Sequence, residues 1–189
     1  MELFRNLRVK AGKSLLAAKV AKIKRKPFYI NFSSIKSIGV VWDASKTEDF
    51  IHLSAFHQKM TERKIEVKIF GFFPGKELPN RYTAIRYLTC LKMQEIDFLY
   101  RPGSPDTTAF IQRHFDVLID INLGKFFPLY YITSLSMARL KVGIADTNPE
   151  RSPFDLMISL NKPVTIDSYL DQVLYYLNMI NSESKKKAV

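Results

Sequence analysis

The sequence predicts an α/β fold: a Rossmann-like, mostly parallel sheet with helices on both faces, preceded by a basic N-terminal helix. Three observations lead there. From Ile35 onward, short apolar runs of strand length alternate with amphipathic segments of helix length, the pattern of a parallel sheet covered on both sides. The chain has 189 residues, 47 % apolar and 25 % charged, enough for one domain that folds without disulfides or metals. Finally, residues 1–26 hold nine cations against one acid, Glu2, and stop at Pro27, which breaks any helix running through it.

The elements follow in order. Residues 2–25 are rich in helix formers, and at 100° per residue they show two apolar strips. Leu3, Phe4, Leu7, Ala11, Leu15 and Ala18 form one; Val9, Leu16, Val20 and Ile23 lie nearly opposite, with lysines between. Gly12 weakens the middle of this helix by about 1 kcal/mol relative to alanine. SIGVVWD, 37–43, reads as a buried strand, and 45–64 as a helix with Ser45 and Glu48 spaced as a capping box. IEVKIFGFF, 65–73, is the next strand, stopped by Pro74-Gly75. The region 76–105 is less regular, with one or two short strands expected around IRYLTC and IDFLY and a turn at Arg101-Pro102-Gly103. Asp106 is placed to cap a helix over TTAFIQRHF. DVLIDINL, 116–123, is a strand, and Pro128 suits the first turn of a helix over 127–138. Strands are expected at 140–146 and 154–160, and a helix at 165–180 with Ile166, Leu170, Val173, Leu174, Leu177 and Ile180 on one stripe.

Dividing the charge is more informative than its total of +11. The arm, 1–26, carries +8 and Lys185, Lys186 and Lys187 add three, while 27–184 holds seventeen cations and seventeen acids. The expected organisation is therefore a basic helical arm (1–26), a neutral α/β domain (27–184) and a basic tail (185–189). Lysines interrupt the N-terminal segment too often for a signal peptide, and the longest uncharged apolar run, 126–138, is short of the ~20 residues that span a bilayer. With one cysteine, Cys90, a reducing compartment and a cytoplasmic location are expected.

Four segments, FDVLIDINL (115–123), LSMARLKVG (135–143), FDLMI (154–158) and YLDQVLYYLNMI (169–180), resemble a small bacterial family of unknown function. The resemblance covers roughly residues 30–180 and implies a Rossmann-like body but no activity. A fainter likeness is to the N-terminal half of heptosyltransferase-type glycosyltransferases. There too a strand ending in Ile-Asp leads into a helix, a small-residue turn and a strand ending near Val-Gly. Against it, these residues hold no second Rossmann domain for a nucleotide sugar, and the loop WDASKTED lacks a glycine for close substrate approach.

Open α/β sheets bind ligands beyond the carboxyl ends of their strands, where Asp43, Asp120 and Asp146 fall. Together they could hold Mg²⁺ or act as acid and base; singly, each ends a strand or caps a helix. Neither GxGxxG, a P-loop nor GxSxG occurs. His52 and His57 are five apart where a helical metal pair wants four, His114 is isolated, and Cys90 reads as a small buried hydrophobe. No metal and no cofactor is expected. Phe126, Phe127, Tyr130 and Tyr131 read as an internal helix on the sheet, whereas Arg81, Tyr82, Arg86 and Tyr87 alternate as a phosphate or base contact would.

The arm carries the main functional expectation. Arg5, Arg8, Lys10, Lys13, Lys19, Lys22, Lys24, Arg25 and Lys26 form a block that binds polyanions. About six phosphate contacts on a duplex would cost roughly 10³-fold in affinity between 50 and 200 mM salt. The leading expectation is a cytoplasmic, non-enzymatic protein tethered by this arm to RNA or a ribonucleoprotein. The alternatives are a nucleotide- or sugar-phosphate-binding protein or enzyme using the strand-end aspartates, and a peripheral protein on an anionic membrane surface. One apolar strip is also available to the body's own surface, or to a second copy in a homo-oligomer.

Overall fold

The computed structural model describes residues 2–145, 152–160 and 163–180. Asp146 and the basic tail 185–189 lie outside the described residues, as does the side chain of Arg81. The chain runs through α1 (Glu2–Val20), β1 (Ser37–Asp43), α2 (Phe50–Glu62), β2 (Glu66–Phe73), the short α3 (Asn80–Thr83) and β3 (Leu88–Lys92). It continues through α4 (Pro105–Gln112), β4 (Val117–Ile121), α5 (Phe127–Leu135), β5 (Leu140–Ile144), β6 (Leu156–Ile158) and α6 (Ile166–Met179). The six strands form one sheet in the order β3-β2-β1-β4-β5-β6, every neighbouring pair parallel. This is the Rossmann-like α/β arrangement expected, with the strand order reversing between β1 and β4.

Each face of the sheet is covered because its central strands are apolar on both sides. Val40 and Trp42 of β1 and Ile119 of β4 pack with Leu53 and Phe56 of α2 and Tyr169, Leu170 and Val173 of α6. Val41, Phe70, Phe72 and Leu118 face the other way, against Phe110 of α4 and Leu129 and Ile132 of α5. A further layer lies outside α5, where Leu16 of α1 meets Phe127 and Tyr131.

Local chemistry moved several boundaries. No capping box forms at Ser45 and Glu48: the Asp43 carboxylate takes the Ser45 N–H at 3.0 Å, a 3-10 turn occupies Thr47–Asp49, and α2 starts only at Phe50. Ser104, not Asp106, caps α4, accepting the Thr107 N–H with Pro105 in the first turn. IDFLY is not a strand. Asp97 instead accepts the N–H groups of Leu99 and Arg101 and holds a tight loop closed by a single antiparallel bridge between Ile96 and Pro102. α5 stops at Leu135 because Ser136 turns extended.

Candidate functional site

Two places could carry function: the carboxyl end of the sheet, where α/β folds hold ligands, and the surface made by α1.

At the first, Asp43 and Asp120 are brought to the same face of neighbouring strands, since Val41 pairs with Asp120 and Asp43 follows two residues on. Their oxygens are already committed. Asp43 accepts from Ser45 N–H and, at 2.8 Å, from Gly124 N–H, stitching the β1 loop to the β4 loop. Gly124 is needed there, because a Cβ would fall 2.5 Å from the Asp43 carboxylate. Asn122 closes the same loop by bonding both backbone groups of Phe126, whose ring packs edge-on against Phe72. Asp120 is buried, accepting from the Thr133 hydroxyl and the Asn122 N–H. Burial pushes its pKa up to about 6 against those two hydrogen bonds. The crevice at the strand-order reversal is thus bridged by the protein's own loop. Among the described residues, no group of three or more His, Cys, Asp or Glu side chains is placed to hold a metal.

Two of the histidines join elements of the fold. His52 Nδ1 lies 2.6 Å from Asp167, joining α2 to α6, and His57 stacks on Tyr87 with ring centres 3.6 Å apart. Cys90 is half-buried, and burial, then Glu95, pushes its thiol up to about 12, which keeps it in the weakly nucleophilic thiol form at neutral pH.

At the second place, α1 lies along α5, and Gly12 explains how closely. A Cβ there would come 2.4 Å from the Leu99 carbonyl oxygen and 2.8 Å from the Phe127 ring. The residue that weakens the isolated helix is the one that lets it dock. Leu16 is 3 % exposed, and Val9 is partly buried against the same cluster. Three cations reach inward. Arg8 donates to the Phe98 carbonyl with its guanidinium over the Phe98 and Tyr100 rings, and Lys19 donates to the Tyr131 hydroxyl at 2.7 Å. Arg25 forms a two-pronged pair with Asp155 at 2.6 and 2.8 Å and also donates to the carbonyls of Ala138 and Arg139.

The outer face is different. Arg5, Lys10 and Lys13 of α1, and Lys22, Lys24 and Lys26 in the segment after it, are exposed and have no ion-pair partner among the described residues. Of the two apolar strips, the one with Val9, Leu16 and Ile23 turns inward, although Val20 stays out. The other faces solvent: Phe4 is 74 %, Leu7 65 % and Leu15 44 % exposed, with Ala11 and Ala18 between them.

A family model matches residues 8–180. The chain belongs to that family, a family of unknown function (DUF6913). The match takes in most of α1 and runs to the end of α6, so the docked helix is part of the family's unit. No curated protein matches the chain.

The remaining expected contact, Arg86, is exposed and lines a groove with His57, Lys64, Lys68 and Tyr87. In the sequence Lys64 and Lys68 sit among balancing acids, Glu62 and Glu66, and do not stand out as a basic cluster. The available signal is that Lys64 stands just before, and Lys68 early within, the strand expected at 65–73.

Proposed function

We propose that this protein is a non-enzymatic binding protein held on an anionic lipid surface by the outer face of α1. One observation carries the reading: with one apolar strip used up on α5, a single exposed strip remains, flanked by lysines. A helix with two apolar strips is a poor interfacial helix; a helix with one buried in its own domain presents the pattern such helices need. Phe4, Leu7 and Leu15 would enter the acyl boundary, each contributing at most about 1.5–3 kcal/mol. Lys10, Lys13 and Lys22 would meet headgroups at roughly 1 kcal/mol each. Attachment of that size is reversible. Among the described residues, no helix is long and apolar enough to cross a membrane. A cytoplasmic location agrees with this reading, because the cytoplasmic leaflet is the anionic one.

RNA or a ribonucleoprotein is the second reading, favoured by the six exposed cations, but it leaves Phe4, Leu7 and Leu15 uncovered. Among the described residues, the strand-end carboxylates Asp43 and Asp120 are bound to backbone and Thr133, which weighs against catalysis through those two side chains. Vesicle flotation separates the readings. The protein should float with phosphatidylglycerol vesicles and not with neutral phosphatidylcholine, and Leu7→Ser/Leu15→Ser should abolish flotation while leaving the fold intact. If that variant floats like the wild type, or if both lose flotation only on Lys10→Glu/Lys13→Glu, the apolar strip has no part and a purely electrostatic polyanion contact replaces it. Sedimentation of the soluble protein tests a second copy as the occupant: self-association lost in the same variant would overturn the lipid reading.

A further inference from the structure

A parallel sheet gathers the beginnings of all its strands at one edge, and here that edge is basic. Lys36 immediately precedes β1, Lys64 lies two residues before β2, Arg86 two before β3, and Arg139 immediately before β5. Arg113 stands before β4, and Lys68 lies early in β2. Bonds run from one to the next. Glu66 donates its N–H to the Lys36 carbonyl, Lys68 Nζ to the Arg86 carbonyl, and Phe28 to the Arg139 carbonyl, which brings Lys26 alongside. Four inter-strand steps from β3 to β5 make this edge about 19 Å long.

Two acids answer these cations: Glu66 pairs with Arg113, and Asp116 with Arg139 at 3.2 Å. Asp116 also accepts the backbone N–H groups of Lys36 and Ser37, so its charge is largely spent on the fold. Lys36, Lys64, Lys68 and Arg86 have no ion-pair partner among the described residues. Aromatic rings stand at both ends. Tyr87, stacked on His57, lines a groove of about 490 Å³ with Lys64, Lys68 and Arg86; Phe28 and Tyr29 are exposed beside Arg139. Lys64 is held there at φ 60°, in the left-handed position that closes α2, where glycine is the usual residue.

We infer that the amino edge of the sheet binds single-stranded nucleic acid: phosphates on Lys36, Lys64, Lys68 and Arg86, bases against Tyr87 and the Phe28–Tyr29 pair. Cations interleaved with rings suit a flexible strand, whose bases are free to stack. A lipid surface would call instead for the protruding aliphatic side chains found on α1. The surface is separate from the outer face of α1, so either proposal stands if the other fails.

The test is fluorescence anisotropy of labelled oligouridine and oligothymidine against the full chain at several salt concentrations. Lys64→Gly/Arg86→Gln removes two charges and suits the left-handed backbone at 64, so it keeps the fold. It should weaken binding at least about tenfold and reduce the log–log salt slope by about 1.4, two phosphates' worth on a single strand. Tyr87→Leu should weaken binding while leaving that slope unchanged. The control Lys10→Glu/Lys13→Glu should matter less than either. Equal loss in the control and in Lys64→Gly/Arg86→Gln would reduce the effect to net charge and overturn the site. So would unchanged affinity in Lys64→Gly/Arg86→Gln, or loss of vesicle binding in that variant with oligonucleotide binding intact.

Discussion

Asp120 and Lys141 are buried ionisable residues on adjacent strands, and burial rather than a substrate draws the pKa of each toward the neutral range. A carboxyl with a raised pKa is often a catalytic acid, yet Asp120 is 5 % exposed and both its oxygens are occupied, so no ligand reaches it. Its folded pKa of about 6 exceeds its ordinary 3.8, so the folded state binds more protons between them and stability declines as pH rises from 4 to 6. Asp120→Asn keeps the shape, with its oxygen accepting from Asn122 and its amide donating to the Thr133 hydroxyl. It should flatten that decline and raise stability at pH 7 by up to about 3 kcal/mol in urea unfolding. Lys141 has the opposite sign. Its ammonium donates to the Ser134 carbonyl at 3.0 Å, and burial, then Arg25, pushes its pKa down to about 7. The cost of burying its charge is full below pH 7 and fades as pH rises toward 10.5. Lys141→Met should therefore raise the melting temperature at pH 6 and give little or nothing at pH 10. Equal gains at both pH values would show that the amine is not desolvated.

At the scale of the element, α1 shows how a poor helix residue becomes a good contact. Gly12 lowers intrinsic helicity, but the Leu99 carbonyl and the Phe127 ring leave no room for a methyl group. Gly12→Ala should cost about 1–3 kcal/mol despite alanine's better propensity, because the Leu99 contact is backbone and yields little. Limited proteolysis after Lys10 and Lys13 should speed up in step with it. If Gly12→Ala stabilises the protein, α1 does not dock as closely as described. The far end of the helix segment is fixed by Arg25 on Asp155, whose carboxylate also takes the Lys141 N–H. Element identity was mostly legible in sequence. β1 falls on 37–43 and α6 on 166–179, inside the expected range, because long apolar periodicities leave little choice. Errors gathered where a short polar side chain competes with a cap, as Asp43 does with Ser45 and Ser104 with Asp106.

For the whole molecule, zero net charge over residues 27–184 concealed an uneven distribution. Counting along the chain pairs Lys64 with Glu62 and Glu66, whereas folding gives Glu66 to Arg113 and leaves Lys64 at the edge with Lys68 and Arg86. Both proposed surfaces are of this kind. One is the half of α1 left outside when the other half docks; the other is a line of strand beginnings that only a parallel sheet brings together. Each rests on charge at an exposed site, so raising salt should weaken oligonucleotide binding steeply and vesicle attachment less, the latter retaining its apolar part.

The sequence by itself determined the α/β class, the order of helices and strands outside 76–105, and the concentration of cations in the first 26 residues. Those are local properties, written in spacing, apolar runs and composition. Tertiary structure alone decided which strip of α1 faces water, that Asp43 and Asp120 serve the fold, and that lysines from separate strands share one rim. Those depend on which distant segments become neighbours, and spacing along a chain does not encode that.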